Sequence, residues 1–216
     1  NKIEELYLKY QFGNSYMSLG RIKTEFTPLI NHSDGRMVPF AHQGGWLHYI
    51  FNTSSTLDLG FINKVSPRST SDWFSMNTAI GLFNNGFQTN GEDSAYQGVT
   101  GSKGLGILKY TYFNTKWSFE FYDIFIHHVL NTIWLEADYT WNQWNFGAQY
   151  LHQQGSKFQD ELPSVNQYIF NDEYGQVLST QLSWRPQSWQ FSLAYSRLFD
   201  TGRFLFPKEL GRDQFY

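Results

Sequence analysis

The 216-residue chain has no cysteine, which removes disulfide frameworks, thiolate metal sites and CxxC redox chemistry. Proline is scarce, with six in all, so few positions interrupt extended backbone. There is no excess of positive charge: 16 Lys and Arg stand against 19 Asp and Glu, a net of −3, and no nucleic-acid partner is expected. No stretch approaches the roughly 18 apolar residues of a membrane helix. Helical periodicity is almost absent. P-loop, nucleophile-elbow and zinc motifs are missing as well, so no cofactor, no metal site and no catalytic residue is assigned. Asn1 begins no signal peptide, and the start reads as mid-protein, so a processed or truncated chain is expected.

What the chain has is aromatic rings, 20 Phe, 14 Tyr and 8 Trp, set in two-residue alternation. Leu6, Leu8, Tyr10 and Phe12 alternate with Tyr7, Lys9 and Gln11. The same pattern recurs at Met17–Leu19, Leu47–Phe51, Leu57–Phe61, Leu108–Tyr112, Trp117–Phe121, Ile133–Trp141, Trp144–Tyr150, Leu178–Trp184 and Trp189–Tyr195. Roughly ten antiparallel strands follow, and the fold class is all-β.

Register tests this, because a hairpin must bring the apolar rows of its two strands to one face. Two-residue turns at Gly13-Asn14, Asn114-Thr115, Asn142-Gln143 and Pro186-Gln187 would pair Tyr10 with Met17, Tyr112 with Trp117, Trp141 with Trp144 and Trp184 with Trp189. A three-residue loop, Thr53 to Ser55, would pair Phe51 with Leu57. All of these are apolar-row members, and Gly, Asn and Pro suit the turns.

These tight connections are separated by long ones, Arg21–Gly45, Ser66–Lys103 and Gln153–Gly175, with a shorter link at Ile124–Leu130. Short turns on one rim and long loops on the other is the pattern of outer-membrane barrels. The apolar rows carry no charge, whereas the opposite rows hold Lys9, Asp58, Lys109, Glu120, Glu136, Asp138 and Arg185. Tyr and Trp gather at strand ends, as amphipathic rings do at membrane–water interfaces. A transmembrane β-barrel wall is expected, with outer-membrane lipid on one side. The alternative is a soluble lipocalin-like binding barrel, in which the apolar rows would face a shared core.

Motifs add a resemblance. Ser18-Leu19-Gly20-Arg21, Pro28-Leu29, Asp34-Gly35-Arg36-Met37-Val38-Pro39 and Gln43-Gly44 resemble the OprD family of outer-membrane porins. The family carries a Leu-Gly stretch, a proline, Asp-x-Arg-Leu-Leu-Pro and a nearby Gly. The tail from Phe206 to Tyr216 is similar to the family's Pro-Arg-Glu-x-Gly-Arg-Asp-Pro-Phe element, with Lys208 in place of Arg and Gln214 in place of Pro. Asn63-Lys64-Val65-Ser66-Pro67-Arg68-Ser69-Thr70 resembles the Bacteroidetes-type branch.

The resemblance implies a porin domain over 1–216, incomplete at both ends. It would be a central arc of a barrel of about eighteen strands, situated in the bacterial outer membrane. It further implies passive, selective diffusion of small polar or anionic solutes such as amino acids, peptides or carboxylates, by a monomer or a trimer. A pore-narrowing loop is implied at 66–103, packed inward by Ile80, Leu82 and Phe83. Arg68 and Asp72 lie in that loop; Asp34 with Arg36 either structures a loop or meets solute. Arg21, Lys64, Lys109 and Arg185 are candidates for a basic ladder that hands carboxylates along by weak repeated contacts.

Other chemistry is less well supported. His127-His128 would point to opposite faces of a strand, poor geometry for one metal. Glu120, Glu136 and Asp138 would mimic a paired-carboxylate site, although a negative lumen wall balancing Lys109 explains them. An outer-membrane barrel enzyme remains the alternative function, but nothing positions a nucleophile beside His32, His42, His48 or His152.

Overall fold

A computed structural model describes residues 3–22, 24, 28–30 and 38–211. The strands are β1 (Leu6–Phe12), β2 (Ser15–Ile22), β3 (Ala41–Asn52), β4 (Ser55–Ser66), β5 (Phe74–Ser75), β6 (Leu105–Phe113), β7 (Trp117–Ile126), β8 (Leu130–Trp141), β9 (Trp144–Gly155), β10 (Tyr174–Trp184) and β11 (Phe191–Leu198). They form one antiparallel meander in sequence order, with the two-residue β5 beside the end of β4. Among the described residues β1 pairs only with β2, and β11 only with β10, so the sheet is open. The ten long strands are those that the alternation predicts; β5 is too short to show a period.

The turns follow the sequence in two hairpins and depart from it in three. Tyr10 lies opposite Met17 across Gly13-Asn14, and Trp141 lies opposite Trp144 across Asn142-Gln143. Gly13 and Asn142 hold φ of 58° and 53°, a conformation Gly and Asn tolerate. Elsewhere Tyr112 lies opposite Phe119 rather than Trp117. Trp184 lies opposite Phe191 rather than Trp189, and Leu57 opposes Tyr49 rather than Phe51. Each differs by two residues, and a shift of two keeps every side chain on its face. The causes are local. Asn114 Oδ1 accepts the N–H groups of Lys116 and Trp117, both at 2.8 Å, which draws Trp117 into the turn. The Ser54 N–H bonds Asn52 Oδ1 at 2.8 Å, next to a register irregularity between Ile50 and Asn52. Trp189 donates its N–H to the Pro186 carbonyl at 2.9 Å.

The two faces of the sheet differ. On the bare face Leu6, Leu8, Tyr10, Met17, Leu19, Leu193 and Tyr195 are all more than half exposed, Leu8 reaching 79%. These residues share rows through the register. No described segment lies over them. On the other face, the segments after β4, β9 and β11 cover the half next to the long connections. A buried cluster there joins Ile62, Val65, Leu105, Ile107, Ile124, Ile126, Leu130 and Leu151 of the strands to Met76, Ala79, Ile80, Ile169 and Leu210 of the covering segments. The rows opposite the apolar ones are therefore polar only towards the tight turns. Under the loops they are mostly aliphatic, because there they face protein, with Thr132 and Gln153 buried among them and hydrogen-bonded.

The segment between β4 and β6 enters through β5 and a one-turn helix, α1 (Met76–Ala79), capped by the Ser75 side chain. Asn77 closes its base: Nδ2 donates to the Gly98 carbonyl at 2.7 Å, and Oδ1 accepts from Thr100 Oγ1 and the Gly101 N–H at 2.9 and 2.8 Å. Ile80 is fully buried, as the sequence suggests, but Phe83 is 45% exposed. Its backbone, not its ring, is what anchors it.

Candidate pore-lining surface

The polar half of the covered face is a connected set. Asp58 of β4 is 2% exposed; its Oδ1 accepts Trp46 Nε1 at 3.1 Å and lies 2.7 Å from His48 Nδ1. The Trp46 ring lies directly across Gly60, where a Cβ would come within 2.5 Å of it. Glycine is needed at that position for the indole to lie flat. The His48 ring packs 5.2 Å from Tyr16, over which Lys9 Nζ sits at 3.7 Å. On the next strands Lys109 is register partner to both Asp58 and Tyr122, with Nζ 5.4 Å above the Tyr122 ring. The Tyr122 hydroxyl donates to Glu120. Glu136 accepts Trp134 Nε1 at 3.3 Å and Gln149 Nε2 at 2.9 Å. The charge on this band is thus Asp58, Glu120, Glu136 and Asp138 against Lys9 and Lys109, and Asp58, Glu120 and Glu136 are each bonded to neighbouring donors.

The eight residues singled out in the sequence fall in different places. Lys109 lies in this band. Arg21 continues the row of Met17 and Leu19; its guanidinium donates to the Ile3 carbonyl at 3.1 Å and stacks 4.7 Å from Trp73. Lys64 is exposed beside the irregularity between Gln43 and Gly44 that leaves Asn63 exposed too. Arg185 is exposed in the turn after β10, its N–H bonded to the Gln143 carbonyl. Arg68 is half-buried and Asp72 exposed in the segment before β5. Asp34 and Arg36 lie outside the described residues, as do His32 and the tail beyond Gly211. Register thus brings Lys109 next to Asp58, and does not bring Arg21, Lys64 and Arg185 into one line with it.

Three residues that the sequence does not single out as site candidates shape the covering segments. Arg203 forms a paired contact with Glu173, Nε to Oε1 at 2.6 Å and Nη2 to Oε2 at 2.7 Å, and its Nη1 donates to the Phe87 carbonyl at 2.7 Å. Burial pushes the Glu173 carboxyl up, but the bonds and charge of Arg203 outweigh it and hold it below its ordinary value. Glu209, 2% exposed, accepts the Phe83 N–H at 2.9 Å; burial raises its pKa despite the backbone donors around it. Glu209 falls in the tail motif, yet nothing in the motif names its partner. Arg203 and Glu173 meet only through long-range packing. Burial, with Glu209 nearby, also pushes Tyr96 up to about 12, and its ring meets Tyr168 edge-on at 4.9 Å. Among the described residues no His, Cys, Asp and Glu cluster could hold a metal. The His127 and His128 rings stack on each other at 3.7 Å.

An open antiparallel meander with a bare apolar face and loops folded over the other has the architecture of a porin-type barrel wall. The chain superposes on OccK8 (OprE) of Pseudomonas aeruginosa with a TM-score of 0.69 at 16% identity, covering 94% of this chain and 52% of that one. The outer membrane protein OpdK of the same organism gives 0.62 at 14% identity, over 89% of this chain and 46% of that one. OccAB4 of Acinetobacter baumannii gives 0.65 at 16%, over 93% and 45%. The fold is an arc of an OprD-type porin barrel. At these identities the likeness is one of fold, and the chain spans about half the length of the structures it matches. No protein-family model and no curated protein sequence matches it. In this wall the bare face takes the lipid-side position and the covered face the lumen side. The apolar rows of a lipocalin-like barrel would instead have faced inward.

Proposed function

We propose that the chain forms part of the wall of a bacterial outer-membrane channel for passive diffusion of small polar solutes, narrowed by the segment 66–103. The observation that carries this is the contrast between faces. From the aromatic ends of the strands to the level of Arg21, Lys64, Asp123 and Arg197, the bare rows hold no charge. A charged side chain at mid-bilayer on that side would cost about 2–4 kcal/mol. The opposite face carries carboxylates, amides and hydroxyls on strands long enough to cross, 12 residues in β3, β4, β8 and β9, against the ~9–11 that a bilayer requires.

The solute preference follows from the lumen-side charges. Asp58, Glu120, Glu136 and Asp138 outnumber Lys9 and Lys109 on this arc, and Lys109 is flanked by Asp58. Such a wall favours solutes bearing an amine, amino acids and peptides over simple carboxylates, with Lys109 as the point where their carboxylate would rest. Arg68 and Asp72 belong to the mouth of the narrowing segment. Planar-bilayer recording on the full-length protein tests this: ion conductance with cations favoured over anions in a salt gradient is expected. A folded barrel with no conductance at any salt concentration sinks the channel reading, and clear anion preference sinks the solute preference.

A further inference from the structure

The stretch after β11 is tied to the wall and reaches past it. Gln153 of β9, fully buried, clasps Leu205 from both sides: Nε2 donates to its carbonyl at 2.6 Å and Oε1 accepts its N–H at 2.8 Å. The same Nε2 bonds Thr132 Oγ1 at 2.9 Å on β8. Phe204, Leu205 and Phe206 pack on the buried cluster. The backbone at 203–204 lies so close to Gly175 that a Cβ there would approach the Arg203 carbonyl to 2.7 Å. From this fixed line two side chains extend in the other direction. Arg203, held by Glu173, bonds the Phe87 carbonyl, and Glu209 takes the Phe83 N–H. Both targets lie in the tip of the segment between β4 and β6. That tip folds on itself through Gln88 N–H to Glu92 O and Ser94 N–H to Gly86 O. Its far side is held separately, by Asn166 Nδ2 on the Ala95 carbonyl.

We propose that residues 199–210 are a strap that sets how far the 83–88 tip projects across the lumen, with Arg203 and Glu209 as its positioning residues. The strap touches no solute in this role. It converts a rigid attachment on β8 and β9 into a defined position for a tip whose other ties stay within its own segment, through Asn77 and α1 at the base and through Tyr96 Oη to the Asn84 carbonyl and the Gln97 N–H to Asn85 Oδ1 nearer the tip. A bidentate guanidinium and a buried acceptor suit this task, because each fixes direction as well as distance. The consequence for the bore rests on the channel reading above; the mechanical part does not.

The test uses the full-length protein carrying Arg203→Ala, Glu209→Ala or Asn166→Ala, with two readouts: hydrogen exchange of the 83–88 amides in micelles and single-channel current. Heat-resistant gel mobility checks that the barrel is intact. Arg203→Ala and Glu209→Ala should speed exchange at 83–88 by about tenfold and change the open-channel current. Asn166→Ala should act on the amides around Ala95 instead. Arg203→Lys and Glu209→Gln should fall between alanine and wild type, and they carry the comparison if an alanine variant does not fold. Exchange at 83–88 unchanged in both strap variants would overturn the strap. Faster exchange with unchanged current would overturn its control of the bore. A silent wild type would overturn the channel reading, while the exchange data would still decide the strap.

Discussion

Asp58 shows how a single side chain organises the lumen side. One carboxylate oxygen serves an indole N–H and an imidazole nitrogen at once, in a position almost closed to water. Asp58→Ala would leave two donors without their acceptor, and an unmet buried polar group costs about 1–3 kcal/mol. A loss of about 2–4 kcal/mol is expected in denaturant unfolding from micelles. Asp58→Asn, which keeps an acceptor oxygen, should lose roughly half as much. Equal stability of wild type and Asp58→Ala would show that the bonds are not maintained in solution. The sequence marks Asp58 as a polar-row residue and no more. Its partners sit on β3, and the register that brings them together contains irregularities that alternation does not reveal.

At the level of strands and turns, period and turn length are separable. The hairpins at Asn114 and Pro186 took up two residues more than their turn signals suggest, and the row assignment survived because the strand period is two. Inserting two residues inside β9, after Phe146, should therefore keep the row assignment on both sides of the insertion and leave a foldable barrel, whereas inserting one should not. In the second case β9 would turn Gln149 and Gln153 towards lipid. Recovery of heat-resistant barrel from refolding measures the difference, and equal yields would contradict the assignment of faces.

The strap has its own pH dependence. Glu173 is held below the ordinary carboxyl value of 4.5 by Arg203, so its contribution is complete above that value and is lost as pH falls through its lowered folded-state pKa. Proteolysis of the 83–88 tip in micelles should accelerate in that acidic range in wild type. In Glu173→Gln it should already be raised at neutral pH and depend much less on acid. A wild-type profile matching the variant's would remove Glu173 from the account.

For the molecule as a whole, the strands and their faces were legible, since a wall between two solvents writes its alternation into every crossing. What rides on the wall was not. Met76 to Ile80, the Gln153 clasp and the meeting of Arg203, Glu173 and Phe87 depend on contacts between segments 30 to 116 residues apart, for which no local period exists. For the same reason the aliphatic half of the covered face reads as an exception until the loops that lie on it are seen.

The crowding of rings at the tight turns has an optical consequence. Trp117, Trp141, Trp144, Trp184 and Trp189 bound those turns, whereas Trp46 and Trp134 are buried on the lumen side and Trp73 lies in a loop. Most of the indole emission should therefore come from one narrow depth of the bilayer. Spin-labelled lipids carrying the quencher near the headgroup should dim it more than those carrying it at the chain ends, and quenching independent of label depth would refute that geometry. The protein thus contains its own depth gauge, readable without adding a dye.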